Sequence, residues 1–255
     1  MSPRKPTPPQ DAASAEQRCE GILARMAAIG SPRNVAGQAR FGIAAVKAYG
    51  LNAAQMHGLA REAGRDHALA EALWGSGVHD ARHVAALVAN PAQVTEEMME
   101  RWAGDFASWD VVDTCCCYLF CRTRFGWKKA LEWSRRREEF VKRAGFSMMA
   151  NLAVHDKTAP DAKFLKLLPV IRRHAQDERN FVRKAVNWAL RQIGKRSLML
   201  NRAAIAAGES ISKLDSRAAH WIAADALREL RSDAVQKRLR ERERSKARRG
   251  KRTPR

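Results

Sequence analysis

The segment Ser108-Trp-Asp-Val-Val-Asp-Thr-Cys-Cys-Cys-Tyr-Leu-Phe-Cys121 places an acid where an acid is costly. At helical spacing Trp109 lies one turn before Asp113, Cys117 one turn after it and Phe120 seven residues on, so the carboxylate shares its face with an indole, a thiol and a phenyl ring. Such surroundings disfavour a charge. They also magnify its effect, because an aromatic wall keeps water from one side of the carboxylate and its field counts for more than in bulk solvent. The chemistry open to Asp113 is therefore electrostatic: stabilising a developing cation, or holding a water beside one. A structural role is open too. With Asp110 as the N-cap, Asp113 falls at N3, where an acid complements the helix dipole and the orphan amides.

Two further segments set cations beside aromatic or apolar stripes. In RNFVRKAVNWALRQIGKR, spacing predicts a helix from about Asn180 to Arg196 whose apolar stripe is Val182, Ala185, Val186, Ala189, Leu190 and Ile193. At 100° per residue Trp188 falls on the opposite side, with Lys184, Arg191 and Lys195. That arrangement is either an aromatic platform inside a phosphate-binding face or an indole packed under a neighbouring helix and the Lys and Arg stems. In REEFVKRAGFSMMANLA, Phe140, Ala144, Met148 and Leu152 make a core stripe with Lys142 and Arg143 beside it. Glu138 with Lys142 and Glu139 with Arg143 are well-ordered i, i+4 pairs, so an ordinary solvated ion-pair face is the alternative to a phosphate-binding one.

The elements that must position these residues are helical almost throughout. Ala, Leu, Arg, Glu and Met abound and no period-2 β-branched alternation occurs, so the class is all-α. Breaks at Gly30-Ser-Pro32, Gly50-Leu-Asn52, Gly64, Gly75-Ser-Gly77, Asn90-Pro91, Gly126, His155–Pro160, Gly194 and Gly208 cut the chain into short helices without a heptad seam. This pattern suits an α-solenoid of stacked antiparallel helix pairs better than a bundle or coiled coil.

Charge and composition narrow the partner. A hydrophobic share of 45% with 29% charged residues is that of a globular domain with a core, and 47 Lys and Arg against 27 Asp and Glu give +20. Of this, +9 belongs to Lys237–Arg255 and +1 to residues 1–11, leaving +10 on residues 12–236. A body basic in its own right favours nucleic acid over a membrane surface. The domain plan is a Pro-rich disordered leader (1–11), a helical body (12–236) and a disordered basic tail (237–255), within which Val235–Arg244 could form a solvated helix. Cys19 and the cluster Cys115, Cys116, Cys117 and Cys121 lack the paired spacing of a zinc site and read as reduced helix-core thiols. No signal peptide or apolar run of membrane-spanning length is present, so a cytoplasmic protein is expected.

Four stretches in order, LWGSGVHDARHVAALV from Leu73, SWDVVDT from Ser108, EEFVKRAGFSMMANLAVHDK from Glu138 and DERNFVRKAVNWALRQIGKR from Asp177, resemble the AlkD-like DNA alkylation repair glycosylases. The resemblance runs from roughly Arg40 to Leu230. It implies HEAT-like helix pairs curved around a basic concave face, and a monomer acting on double-stranded DNA that contains alkylated bases, without metal or organic cofactor. Trp109 and Asp113 match the Trp and Asp of the family's W-D-x-V-D segment, Trp188 its second lesion-facing Trp, and Arg143 its DNA-binding Arg; Lys142, Lys184, Arg191 and Lys195, which spacing sets beside Arg143 and Trp188, are expected as further DNA contacts. The implied reaction is N-glycosidic hydrolysis of cationic N-alkylated purines, such as 3-methyladenine and 7-methylguanine, with the lesion left stacked in the duplex. The alternative is a non-catalytic nucleic-acid-binding scaffold or damage sensor. The leader, the basic tail and the Cys115–Cys117 run depart from the family pattern.

Overall fold

The structure, a computed structural model, describes residues 14–250 other than residue 44. The leader expected to be disordered, and the last five residues of the tail, lie outside the described residues. Among those described, every regular element is a helix, and they divide into two compact units, Met1–Gln93 and Val94–Arg255. None is long and apolar enough to cross a membrane.

The first unit contains α1 (Ala15–Ile29), α2 (Pro32–Gln38), α3 (Ala53–Ala63), α4 (His67–Gly75) and α5 (His79–Val88). The break predicted at Gly30-Ser-Pro32 is real: Ser31 caps α2 through the Asn34 amide and Pro32 opens it, where a missing N–H costs nothing. The loop before α3 is tied down from inside. Asp80, 1% exposed on α5, accepts hydrogen bonds from the amides of Tyr49 (2.7 Å) and Leu51 (2.8 Å), satisfying groups that would otherwise be buried without partners. Gly50 between them has φ +76°, and a Cβ there would lie 2.4 Å from the Ser31 carbonyl oxygen, so only glycine fits this turn.

The second unit continues with α6 (Glu96–Gly104), α7 (Trp109–Thr114), α8 (Gly126–Ser134), α9 (Glu139–His155), α10 (Asp161–Leu165), α11 (Leu168–Arg173), α12 (Asn180–Gly194), α13 (Leu198–Ile211), α14 (Arg217–Leu230) and α15 (Asp233–Gly250). A π-helical turn, Cys115–Leu119, and a 3₁₀ turn, Phe120–Arg122, join α7 to α8. α6 and α8 are locked by Lys129, 3% exposed, whose ammonium donates to Glu100 (2.7 Å) and Glu132 (2.9 Å) and pairs with Glu96 (2.7 Å). Trp133 donates its indole N–H to the same Glu100, at 2.8 Å.

α9 is the centre of this unit. It packs on α8 and α12 and is touched by α6 and α7, and from Arg143 to Ala153 every residue is buried. The expected stripe of Ala144, Met148 and Leu152 is in the core with Phe140 half-buried, but a one-sided amphipathic helix is not what forms, since helices cover α9 on several sides. In α12 the whole predicted stripe is buried.

The repeat that the sequence hides is visible in the contacts. Arg143 to Phe181, Asn187 to Asp225 and Arg191 to Glu229 are hydrogen bonds each spanning 38 residues, so α9, α12 and α14 stack at the spacing of a HEAT-sized repeat.

The helix open to Val235–Arg244 in the sequence forms: residues from Lys237 onward belong to the 18-residue helix α15 as far as Gly250. Arg, Lys and Glu are strong helix formers, and the helix is anchored by buried Val235 and Leu239 and by Gln236, whose side-chain amide donates to the Leu230 carbonyl (2.7 Å) and to Asn201 (2.9 Å).

Gly145 sets the approach of α9 to α8: a Cβ there would fall 2.3 Å from the Ser134 amide nitrogen, against backbone that cannot move aside. Gly145→Ala should therefore destabilise the protein by about 1–3 kcal/mol despite alanine's better helix propensity, measured as a shift in urea unfolding midpoint.

Candidate active site

α7 starts after Ser108, whose hydroxyl donates to the Asp110 carboxylate at 2.6 Å. The same carboxylate oxygen accepts the Val111 amide at 3.0 Å. Asp110 thus serves the helix start from inside the first turn, and Asp113, five residues into α7, takes no capping role. The structure sends Asp113 to α9 instead. Arg143 grips both carboxylate oxygens, Nε to Oδ1 at 3.1 Å and Nη2 to Oδ2 at 2.7 Å, and Ser147 donates its hydroxyl to Oδ1 at 3.0 Å. A bidentate guanidinium–carboxylate pair is the strongest arrangement two such groups can make.

Arg143 is 6% exposed, and its remaining contacts explain why it can be. Nη1 donates to the Phe181 carbonyl of α12 at 2.7 Å, and the guanidinium carbon lies 5.7 Å from the Trp109 ring centroid. The i, i+4 pair with Glu139 does not form, because the inward face of α9 offers Arg143 a buried partner. Ser147 and Asn151 extend the same polar row, Asn151 donating to the Ser147 carbonyl at 2.9 Å.

Asp113 keeps one edge open, with 23% of its side chain exposed. Burial pushes its carboxyl above the ordinary Asp range, and Arg143 and Ser147 pull against that push. Three of the roughly four acceptor positions of a carboxylate are filled, and the one remaining is on Oδ2. Trp109, half-buried, supplies the aromatic neighbour expected from its spacing. Phe120 does not join this face. The i→i+5 turn at Cys115–Leu119 breaks the 100° register, and Phe120 is buried between Trp102 (6.2 Å) and Trp133 (5.7 Å). Of the thiols that follow Asp113, Cys116 is buried with its sulfur 3.6 Å from the Ala144 carbonyl. Burial first, then the charge of Asp113, drives its pKa well upward, so it remains a thiol.

The basic residues divide by partner. Lys142 does not pair with Glu138 but with Asp177, at 3.0 Å, which Arg179 also holds at 2.6 Å. Glu138 turns to Arg136 at 2.6 Å. Arg191 and Lys195 meet acids of α14: Arg191 reaches Glu229 at 2.8 Å and Asp225 at 3.4 Å, and Lys195 reaches Glu229 at 2.6 Å. Lys184 is exposed and Trp188 half-buried, off the apolar stripe as its spacing predicts. Trp188 makes no hydrogen bond to Asp113 among the described residues. The structure therefore joins Asp113, Trp109 and Arg143 in one cluster, commits Lys142, Arg191 and Lys195 to ion pairs, and leaves Lys184 in solvent. Ser147 was not foreseen, although its place one turn after Arg143 in an apolar helix is a readable signal.

An all-helical chain of this repeat size, with a nearly buried carboxylate clamped by Arg and walled by Trp, defines a class of fold and site together. A solved structure described as "A new family of proteins related to the HEAT-like repeat DNA glycosylases with affinity for branched DNA structures" has the same fold, with a TM-score of 0.69, 18% identity and coverage of 82% of this chain and 94% of that one. No curated protein matches the sequence. Residues 22–230 match the family model of the DNA alkylation repair enzymes, and the chain belongs to that family.

The Asp113 contacts predict a shift in pH dependence. Any activity that needs ionised Asp113 should have its acid limb above the ordinary carboxylate range, and Arg143→Met, by removing the groups that hold the pKa down, should move that limb to higher pH in a pH–rate profile. Asp177 gives the opposite sign. Burial opposes its ionisation, but the bonds from Arg179 and Lys142 prevail and hold its pKa at about 2. Its contribution to stability is present above the unfolded pKa of about 4 and is lost as pH falls towards 2. The stability gap between wild type and Asp177→Asn should thus be widest near neutral pH and close between pH 4 and 2, read from urea midpoints.

Proposed function

We propose that this protein is a DNA N-glycosylase that hydrolyses the N-glycosidic bond of cationic N-alkylated purines in duplex DNA. The observation that carries the reading is the Asp113 carboxylate, set in low-dielectric surroundings yet left with one open acceptor position. Cleavage of an N-glycosidic bond passes through an oxocarbenium-like transition state in which positive charge grows on the sugar. A base already alkylated at a ring nitrogen is cationic and departs without being protonated, so the reaction needs no second acid. Asp113 stabilises the developing sugar cation and holds the attacking water at Oδ2. Arg143 and Ser147 fix the carboxylate in place beforehand, so no reorganisation is needed as charge develops. The π face of Trp109 favours cationic character beside it, and Trp188 supplies the second aromatic wall. Lys184 and the exposed cations of the body contact backbone phosphates. Contact with the sugar rather than the base allows the lesion to stay stacked.

A second reading is favoured by a specific observation: Arg143 already neutralises Asp113, and the structural neighbour is described as having affinity for branched DNA. In that reading the chain binds branched DNA without cleaving it.

Release of free base from N-methylpurine-containing duplex separates the two. Wild type should liberate 3-methyladenine and 7-methylguanine, and Asp113→Asn should lower the single-turnover rate by about 10²–10³-fold with duplex binding intact. Trp188→Leu should slow excision more than it weakens binding, and Trp188→Phe should cost less. Absence of released base, with tighter binding to a four-way junction than to linear duplex, selects the second reading.

A further inference from the structure

A cavity of about 720 Å³ lies between the C-terminal ends of α9 and α12 and one face of α15. Its walls are fixed by spent cations. Arg196 donates to the carbonyls of Ala153 (3.1 Å) and Ala159 (2.7 Å) and faces Asp161, the one acid of the lining, at 3.5 Å, while Lys195 is paired with Glu229. Three more lining cations, Lys157, Arg238 and Arg242, have no acid partner among the described residues. Arg242 is oriented by a hydrogen bond from Nη1 to the Lys195 carbonyl at 3.3 Å. The cavity is therefore open and strongly positive, and its size suits an anion larger than a single ion.

Its place in the unit suits a polyanion that also reaches Asp113. Ala153 lies ten residues beyond Arg143 on α9, about 15 Å along the helix, and Lys195, which caps the C-terminal end of α12, lies seven beyond Trp188, about 10 Å. Phosphates recur every 3.4 Å of axis along one DNA strand, so on a duplex lying along α9 and α12 this offset would span roughly three to four nucleotides. Arg238 and Arg242, one helical turn apart on α15, lie past residue 230, where the family match ends.

We propose that the cavity is a backbone-phosphate seat for DNA, in which Lys157, Arg238 and Arg242 grip the strand a few nucleotides from the one at Asp113. The inference rests on the reading of the chain as a DNA-binding enzyme and adds to it a fixed contact made by the C-terminal helix. A seat differs from a diffuse basic tail in one measurable respect: position on α15 matters, not charge alone.

The test compares two double variants of equal charge and equal helix propensity. Arg238→Ala with Arg242→Ala empties the cavity wall, whereas Arg240→Ala with Arg244→Ala removes two cations that do not line it. The first pair should weaken binding to a duplex oligonucleotide about tenfold or more and lower the salt slope by about two, the second should change affinity less than about threefold, and Lys157→Ala should lower the slope by about one. Circular dichroism confirms that each variant keeps its helices. A methylphosphonate at the seated linkage should weaken wild-type binding by more than it weakens binding by the Arg238/Arg242 variant. Equal effects of the two pairs, with wild type binding duplex normally, overturn the seat and leave the glycosylase reading intact. A wild type that binds no duplex removes both.

Discussion

One guanidinium holds the centre of the second unit together. Arg143 joins the carboxylate of α7, a backbone carbonyl of α12 and the face of an α7 indole, and it does so from the most buried helix of the unit. Buried charges are tolerated only when paired and fully hydrogen-bonded, and here the Asp113 carboxylate and Arg143 guanidinium supply each other's principal partner. The constraint runs both ways. Arg143 offsets the cost of an acid in apolar surroundings, and the acid and the Phe181 carbonyl receive the donors of Arg143. The candidate site is thus also a structural junction, which is why its geometry is set in advance of any ligand.

The same rule sorts the rest of the charge. The body carries a formal +10, yet Lys129, Lys142, Arg191, Lys195 and Arg196 are all committed to acids or carbonyls within the second unit. These pairs bind one repeat to the next, and their field at a distance is small because each cation stands beside an anion. The field available to a polyanion comes from the cations left over, among them Lys184, Lys157 and the exposed arginines of α15. Net charge states that a polyanion is attracted, whereas the pairing pattern states where.

Stacking of α9, α12 and α14 explains how so degenerate a repeat can be regular in three dimensions. The contacts that recur at 38 residues use different chemistry each time: arginine to carbonyl, asparagine to aspartate, arginine to glutamate. Each repeat needs only a satisfied polar contact and a buried apolar stripe against its neighbour, so sequence can drift while spacing is kept.

The sequence by itself determined the all-helical class, the break at Gly30-Ser-Pro32, the buried stripe of α12 and the placement of Trp188 off that stripe, because these follow from local propensity and from a period of 3.6 residues. Asp113 stood out for the same local reason, as an acid on an apolar face. What it faces was beyond the reach of spacing, since Arg143 is 30 residues away and Ser147 is 34. The tertiary structure alone decided that Arg143 turns inward rather than to Glu139, that Lys142 chooses Asp177 over Glu138, that a π-helical turn removes Phe120 from the Asp113 face, and that buried Val235 and Leu239 hold the basic tail as a helix. For Arg143 and Lys142 more than one acid was open to the local chain, and each took the partner that the packing of a distant segment brought to it.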